Sequence, residues 1–318
     1  MNHNYKEKKV TVKGTFDLVA TVAIPEGIKQ KMPAVVLIAG TGTSDRDGNM
    51  KKFQSNIYKE LSEIFASQGF VTIRYDKRGV GESKGDFSNT GLLDLVEDVI
   101  SNIKYLESLD FVDPNKIILC GHSEGTMIAT LVSTRYNIAG MILLSGAGTS
   151  LKSALRYQNW LVFQEIQGMS GLKGMILRKL ITEKNYMKNV NTLFKKCCET
   201  NKDTVRIMGK KMSAKWIREH NDLTDERIID IIKNANIPIL AITGDKDAQA
   251  TYEDIRNIEK LELPHVTTQI IPGMDHILRK HEGALSVLNV RKQYASEFSK
   301  PLHDGLVKAI AEWVHKYY

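Results

Sequence analysis

A series of short apolar runs constrains this chain more than any other feature: AVVLIAG (34–40), FVTIRYD (70–76), KIILC (116–120), IAGMILLSG (138–146) and IPILAITG (237–244). AVVLIAG is apolar without alternation and ends in glycine, the pattern of a strand covered on both faces. Segments of helical period lie between the runs, at 53–68, 92–106 and 125–135. In the second of these, Leu92, Leu95, Val96, Val99, Ile100, Ile103 and Leu106 recur at three- and four-residue intervals and share one helix face. Strand, helix, strand, repeated, predicts an α/β protein with a mostly parallel central sheet flanked by helices. Ahead of it, VTVKG and FDLVATVAIP read as a hairpin of strands.

At about residue 150 the pattern changes. Up to about 235 there is no convincing strand, and the segment reads as helical, basic and rich in methionine (Met169, Met175, Met187, Met208, Met212). The alternation then resumes with 237–244, a helix over 252–261, the strand VTTQII (266–271) and a closing amphipathic helix over 302–317. One core, 1–149 with 236–318, is therefore expected to carry a helical insertion at 150–235; 318 residues, 42% hydrophobic, suffice for both. Residues 150–220 hold 15 Lys and Arg against 5 Asp and Glu, a local +10, which leaves 7 − 10 = −3 for the rest of the chain. A solvated helical surface explains this excess; the sharper readings are a funnel for an anionic acyl substrate or a membrane-surface contact. Nucleic acid is not expected, because the excess forms no compact run and carries no recognition motif. No stretch approaches the ~18 apolar residues of a membrane span, and the lysine-rich MNHNYKEKKVTVKG lacks the core of a secretory signal. Cys120, Cys197 and Cys198 form no disulfide framework. These features predict a soluble, cytoplasmic protein.

The stretch IILCGHSEGTM (117–127) carries the chemistry. It fits G-x-S-x-G as Gly121, His122, Ser123, Glu124 and Gly125, at a place where a strand must turn sharply into a helix. In such a turn the serine backbone is strained, and the strand and helix pass too close to both glycine positions to admit a Cβ. The hydroxyl is left at a helix N-terminus, where free N–H groups favour an oxyanion. A serine nucleophile needs a base, and the base an orienting acid. His276, in IIPGMDHIL, follows the last strand beside Pro272 and Gly273 and is the best base; His281, one helical turn on, is the fallback. His122 is expected to point away from the serine, His3, His303 and His315 to lie at the surface, His220 falls in the insertion and His265 begins a strand. In TGDKDAQ, Asp247 is favoured as the acid over Asp245, which is better placed to shape the turn, and Asp275 reads as loop structure. The expected oxyanion donors are the N–H of Glu124, directly after the serine, and that of Thr41, in the glycine-rich loop after AVVLIAG. That loop, GTGTSDRDG, lacks the Lys of a phosphate-cradling motif.

With these motifs in this order, the chain resembles the α/β-hydrolase superfamily over nearly its whole length. AGTGTSDRDGN (39–49) is similar to the oxyanion loop of bacterial carboxylesterases related to the serine-aminopeptidase-like hydrolases, and YDKRGVGES (75–83) to the superfamily's D-x-R-G-x-G-x-S loop. The resemblance implies a Ser123–Asp247–His276 triad, with GDKDAQ matching G-x-x-D-x-Q at Gly244, Asp247 and Gln249, and a helical cap at about 150–235 over the site. Asp45, Arg46, Asp76 and Arg78 are expected to brace the oxyanion loop through ion pairs. The loop opens Ala39-Gly40 where many relatives have His-Gly. The expected activity is hydrolysis of carboxylic esters with short- to medium-chain or aromatic acyl groups, through an acyl-enzyme and without metal or cofactor. Aminopeptidase, thioesterase and acyltransferase activities use the same site, and a ligand-binding protein that has lost turnover is the alternative of another class.

Overall fold

The computed structural model describes residues 4–51, 53–183, 185–207 and 209–318, so His3 and Met208 lie outside the described residues. Strands β1 (Tyr5–Val12) and β2 (Leu18–Pro25) form an antiparallel hairpin, Val12 opposite Leu18. The chain continues through β3 (Met32–Ile38), a small ribbon of β4 (Asn49–Met50) and β5 (Phe53–Gln54), α1 (Ile57–Ser67), β6 (Val71–Tyr75), a 3-10 turn at Phe87–Asn89, and α2 (Leu92–Glu107). Then come β7 (Val112–His122), α3 (Glu124–Ser133) and β8 (Gly140–Leu144). Between β8 and the next sheet strand lie α4 (Leu151–Gln167), α5 (Gly171–Leu180), α6 (Lys188–Cys198), β9 (Thr204–Ile207), β10 (Lys210–Ser213), α7 (Ala214–Asn221) and α8 (Asp225–Asn234). The chain closes with β11 (Ile239–Gly244), α9 (Glu253–Glu259), β12 (Val266–Ile271), α10 (Val290–Glu297) and α11 (Asp304–Tyr317).

The eight-stranded sheet has the order β1-β2-β6-β3-β7-β8-β11-β12. It is parallel from β6 to β12, and β1 and β2 add an antiparallel edge. The unbroken apolar runs now have their reason. Val36 and Ile38 of β3, with Ile117 and Leu119 of β7, face α2 and α3; Val35 and Leu37, with Ile118 and Cys120, face α1 and α11. Successive residues point to opposite faces, and both faces are covered, so neither can be polar. Leu95, Val99, Ile103 and Leu106 of α2 line the first layer, Leu61, Phe65, Ile310 and Trp313 the second.

One expectation fails in the insertion. Residues 150–235 are not purely helical, because β9 and β10 pair as an antiparallel ribbon, Thr204 opposite Ser213. Four-residue strands are too short for period-two alternation to show. This ribbon rests against the core, where the Ser213 hydroxyl donates to the Thr90 carbonyl at 2.8 Å. Helix α10 was also not expected: VRKQYASE has no apolar stripe to announce it.

Candidate active site

The C-terminal ends of β3, β7, β11 and β12 meet on one edge of the sheet, where open parallel sheets bind their ligands. At the end of β7, Ser123 has φ 56° and ψ −121°, left-handed backbone that a residue with a Cβ adopts only under constraint. Its N–H donates to the Leu144 carbonyl of β8 at 2.9 Å, holding the bend against the sheet. A Cβ on Gly121 would lie 2.2 Å from the Gly125 carbonyl oxygen, and one on Gly125 would lie 2.2 Å from that of Ile38. Both glycines are therefore required by close backbone approach.

His276 Nε2 lies 3.1 Å from Ser123 Oγ, and His276 Nδ1 lies 2.9 and 3.0 Å from the two Asp247 carboxylate oxygens. With Nδ1–H donated to the carboxylate, Nε2 is left unprotonated toward the hydroxyl. Asp247 is 2% exposed, and its Oδ1 also accepts the N–H groups of Gln249 and Ala250 at 2.7 and 2.8 Å. Asp245 ties its loop to the one after β12 instead of closing its own turn, accepting the Gly273 N–H at 2.6 Å. His281 stands away from the serine, its Nδ1 on Glu297 at 2.7 Å. Asp275 turns from the imidazole to accept the Arg279 N–H at 2.9 Å, and burial, with Glu297 beside it, pushes its carboxyl up to about 7.

The loop after β3 runs over the serine. A Cβ on Gly40 would lie 2.9 Å from Ser123 Cβ. Thr41 follows, exposed, and Glu124 is the first residue of α3. Among the described residues, neither the Thr41 nor the Glu124 N–H donates to a protein acceptor. The bracing expected of the charged residues is only partly of the oxyanion loop. Arg46 reaches Asp76 through its N–H and its guanidinium, each at 2.7 Å, and Asp45 Oδ1 accepts from the N–H groups of Asp47 and Asn49. Arg78 instead ties its own loop to α2, through Asp98 at 2.6 Å and the Asp94 carboxylate at 3.3 Å. It serves the D-x-R-G turn, not the loop after β3.

Several polar residues around the serine were not legible in the sequence. The Gly40 N–H donates to Tyr58 Oη at 2.8 Å, Tyr58 Oη lies 3.1 Å from His122 Nδ1, and His122 Nε2 lies 2.8 Å from the His276 carbonyl oxygen. One chain of hydrogen bonds thus joins the loop after β3 to the loop after β12, with Tyr58 donating to His122 and His122 to His276. His122 points away from Ser123, as expected, but toward the backbone of His276. Burial, and the neighbouring His276, push the His122 imidazole down to about 3, so it is neutral at pH 7. The Glu124 carboxylate accepts from Trp216 and His220 of α7, and Lys77 lies beside it. Only the recurrence of Tyr, Lys and His at buried positions marks these residues, and burial is a property of the folded chain.

Ser123 and His276 open on a cavity of about 760 Å³. Its walls are mostly apolar: Leu155, Leu193, Met212 and Ile217 come from the segment between β8 and β11, and Phe53 and Phe298 from the other side. Met212 is the one methionine of that segment, among the described residues, that lines the cavity; Met175 is 46% exposed.

The fold has counterparts among known proteins. The family model of the serine aminopeptidases, S33, matches residues 52–282. The esterase EstD of Thermotoga maritima is 26% identical over 318 residues, which cover 98% of this chain and 68% of that protein. Est1E of Butyrivibrio proteoclasticus, solved with ferulic acid bound, superposes with a TM-score of 0.62 at 18% identity, covering 97% of this chain and 98% of its own. The Pyrococcus furiosus esterase Pf2001 superposes with a TM-score of 0.54 at 14% identity, over 99% and 93% of the two chains. The family match spans well over half of the sequence, so the chain belongs to the serine aminopeptidase, S33, family, as an esterase-like α/β-hydrolase.

Proposed function

We propose that this protein is a serine hydrolase that cleaves carboxylic esters through an acyl-enzyme, with Ser123 as nucleophile, His276 as general base and acid, and Asp247 as the orienting carboxylate. One observation carries the reading: Oγ, Nε2, Nδ1 and the Asp247 carboxylate follow one another at hydrogen-bond distance. Nε2 takes the Ser123 proton as Oγ attacks the ester carbonyl. The N–H groups of Thr41 and Glu124 stabilise the oxyanion, and Asp247 stabilises the imidazolium. Collapse expels the alcohol, which takes the proton from His276; water activated by the same imidazole then releases the acid. In this reading 150–235 is a cap over a core of 1–149 and 236–318.

The apolar walls of the cavity favour short- to medium-chain or aromatic acyl groups. The ferulic acid bound by Est1E makes aromatic acyl esters the first to test. The free cysteines Cys120, Cys197 and Cys198 fit a reducing compartment, and we assign the protein to the cytoplasm. Among the described residues no helix is long and apolar enough to cross a membrane.

A chromogenic ester series, run beside matched amides and thioesters, tests both activity and bond preference. Ser123→Ala is expected to lose about 10³-fold or more in kcat/KM. Equal turnover by the variant and the wild type would overturn the proposal.

A further inference from the structure

We propose that Lys77 and Glu124 are a buried positioning pair that sets both oxyanion donors, and that the insertion secures the pair through Trp216 and His220. The proposal rests on the serine-hydrolase reading of the same site. Lys77 Nζ donates to the Gly40 carbonyl oxygen and lies 3.9 Å from Glu124 Oε2. The Gly40 carbonyl and the Thr41 N–H belong to one planar trans peptide and point in opposite directions. A cation held on the oxygen thus decides where the N–H points. It also opposes the flip that would turn a carbonyl oxygen, not a donor, toward the developing negative charge. The other donor is the backbone N–H of Glu124 itself. Its side chain is anchored at Oε1 by Trp216 Nε1 at 2.5 Å and His220 Nε2 at 3.1 Å. One carboxylate therefore fixes the first residue of α3 and holds the ammonium that orients the loop after β3.

The energetics argue for a role beyond packing. Lys77 and Glu124 are each 2% exposed. Removing two such charges from water carries a desolvation cost that their mutual attraction seldom more than repays, and an apolar pair of equal volume would serve a core as well. Burial lowers the Lys77 affinity for its proton, with Glu124 opposing. Burial likewise raises Glu124, but the His220 hydrogen bond and the Lys77 charge outweigh it and hold the carboxyl below its usual range. Glu124 is thus a carboxylate at neutral pH.

Steady-state hydrolysis of one chromogenic ester, with inhibition by an alkyl boronic acid, tests the proposal. The boronate adduct on a serine places an oxygen where the oxyanion forms, so its Ki reads the hole directly. Lys77→Met is expected to lower kcat by about 10- to 100-fold, to leave KM within about 2-fold, and to raise Ki by the factor that kcat loses. Glu124→Gln, which keeps the side-chain volume, is expected to lower kcat by about 10-fold with the same signature, and carries the test alone if Lys77→Met does not fold. His220→Leu should lower kcat several-fold in the wild type but not in the Glu124→Gln background. Additive losses would remove the insertion from the proposal. Wild-type kcat in Lys77→Met and Glu124→Gln, or a lowered kcat with unchanged Ki, would overturn it. Ser123→Ala separates the two claims: if it still turns over, the serine-hydrolase reading fails. If it is inactive while Lys77→Met is normal, only the positioning pair falls.

Discussion

His122 points away from the serine, and its surroundings give it a part in stability. It is buried, neutral and bonded at both nitrogens, to Tyr58 and to the His276 carbonyl. An imidazole whose folded pKa is about 3 binds fewer protons folded than unfolded wherever the unfolded chain, near 6.5, is protonated. Its contribution to stability is therefore complete above pH 6.5 and is lost as pH falls from there toward 3. It amounts to at most about 1.4 kcal/mol per pH unit. Urea titrations at pH 7, 6 and 5 should show the wild type losing stability more steeply than His122→Gln; parallel losses would contradict the burial argument. Asp247 supports a second expectation. Its carboxylate holds the Nδ1 proton of His276, so Asp247→Asn favours the wrong tautomer and should lower kcat by about 10³- to 10⁴-fold with the melting temperature nearly unchanged.

Among the strands and helices, the turn between β7 and α3 is the least tolerant of change. Gly125→Ala would set a methyl group 2.2 Å from a backbone carbonyl, which neither β3 nor α3 can yield without losing packing on both. It should destabilise the protein by about 3 kcal/mol or more, read as a lower denaturation midpoint and loss of turnover together. This turn was legible because its demands are local: a strand, two glycines and a helix in contiguous sequence. The strands of the parallel sheet were legible for the same reason, since cover on both faces makes the whole run apolar. Ribbon β9–β10 and helix α10 were not, because each is short and polar and is held by what it rests on. Arg279 shows the same limit. It is completely buried, with its guanidinium on Glu60 of α1 and on the Ser55 carbonyl, yet nothing in LRKHEG marks it as a tie between two loops of the site.

Across the chain as a whole, the excess of positive charge in residues 150–220 is partly a solvated surface, as its composition suggested. The Lys195–Glu199 and Lys211–Asp86 pairs are about half exposed or more, and such pairs contribute little to stability. Lys215 differs, reaching Asp94 of α2 at 2.7 Å and so joining the insertion to the core. The residue types of the site could be read from motif and chain order, and so could the expectation that Ser123, Asp247 and His276 meet. The residues packed around them, from Tyr58 and Lys77 to His220, could not, since they are brought together from positions 58 to 220 only by the topology of the sheet. Peptide mapping after reaction with a fluorophosphonate tests that convergence most directly. One adduct on Ser123 is expected in the wild type, forming at least about 100-fold more slowly in His276→Ala. An adduct elsewhere, none at all, or equal rates in the two proteins would contradict it.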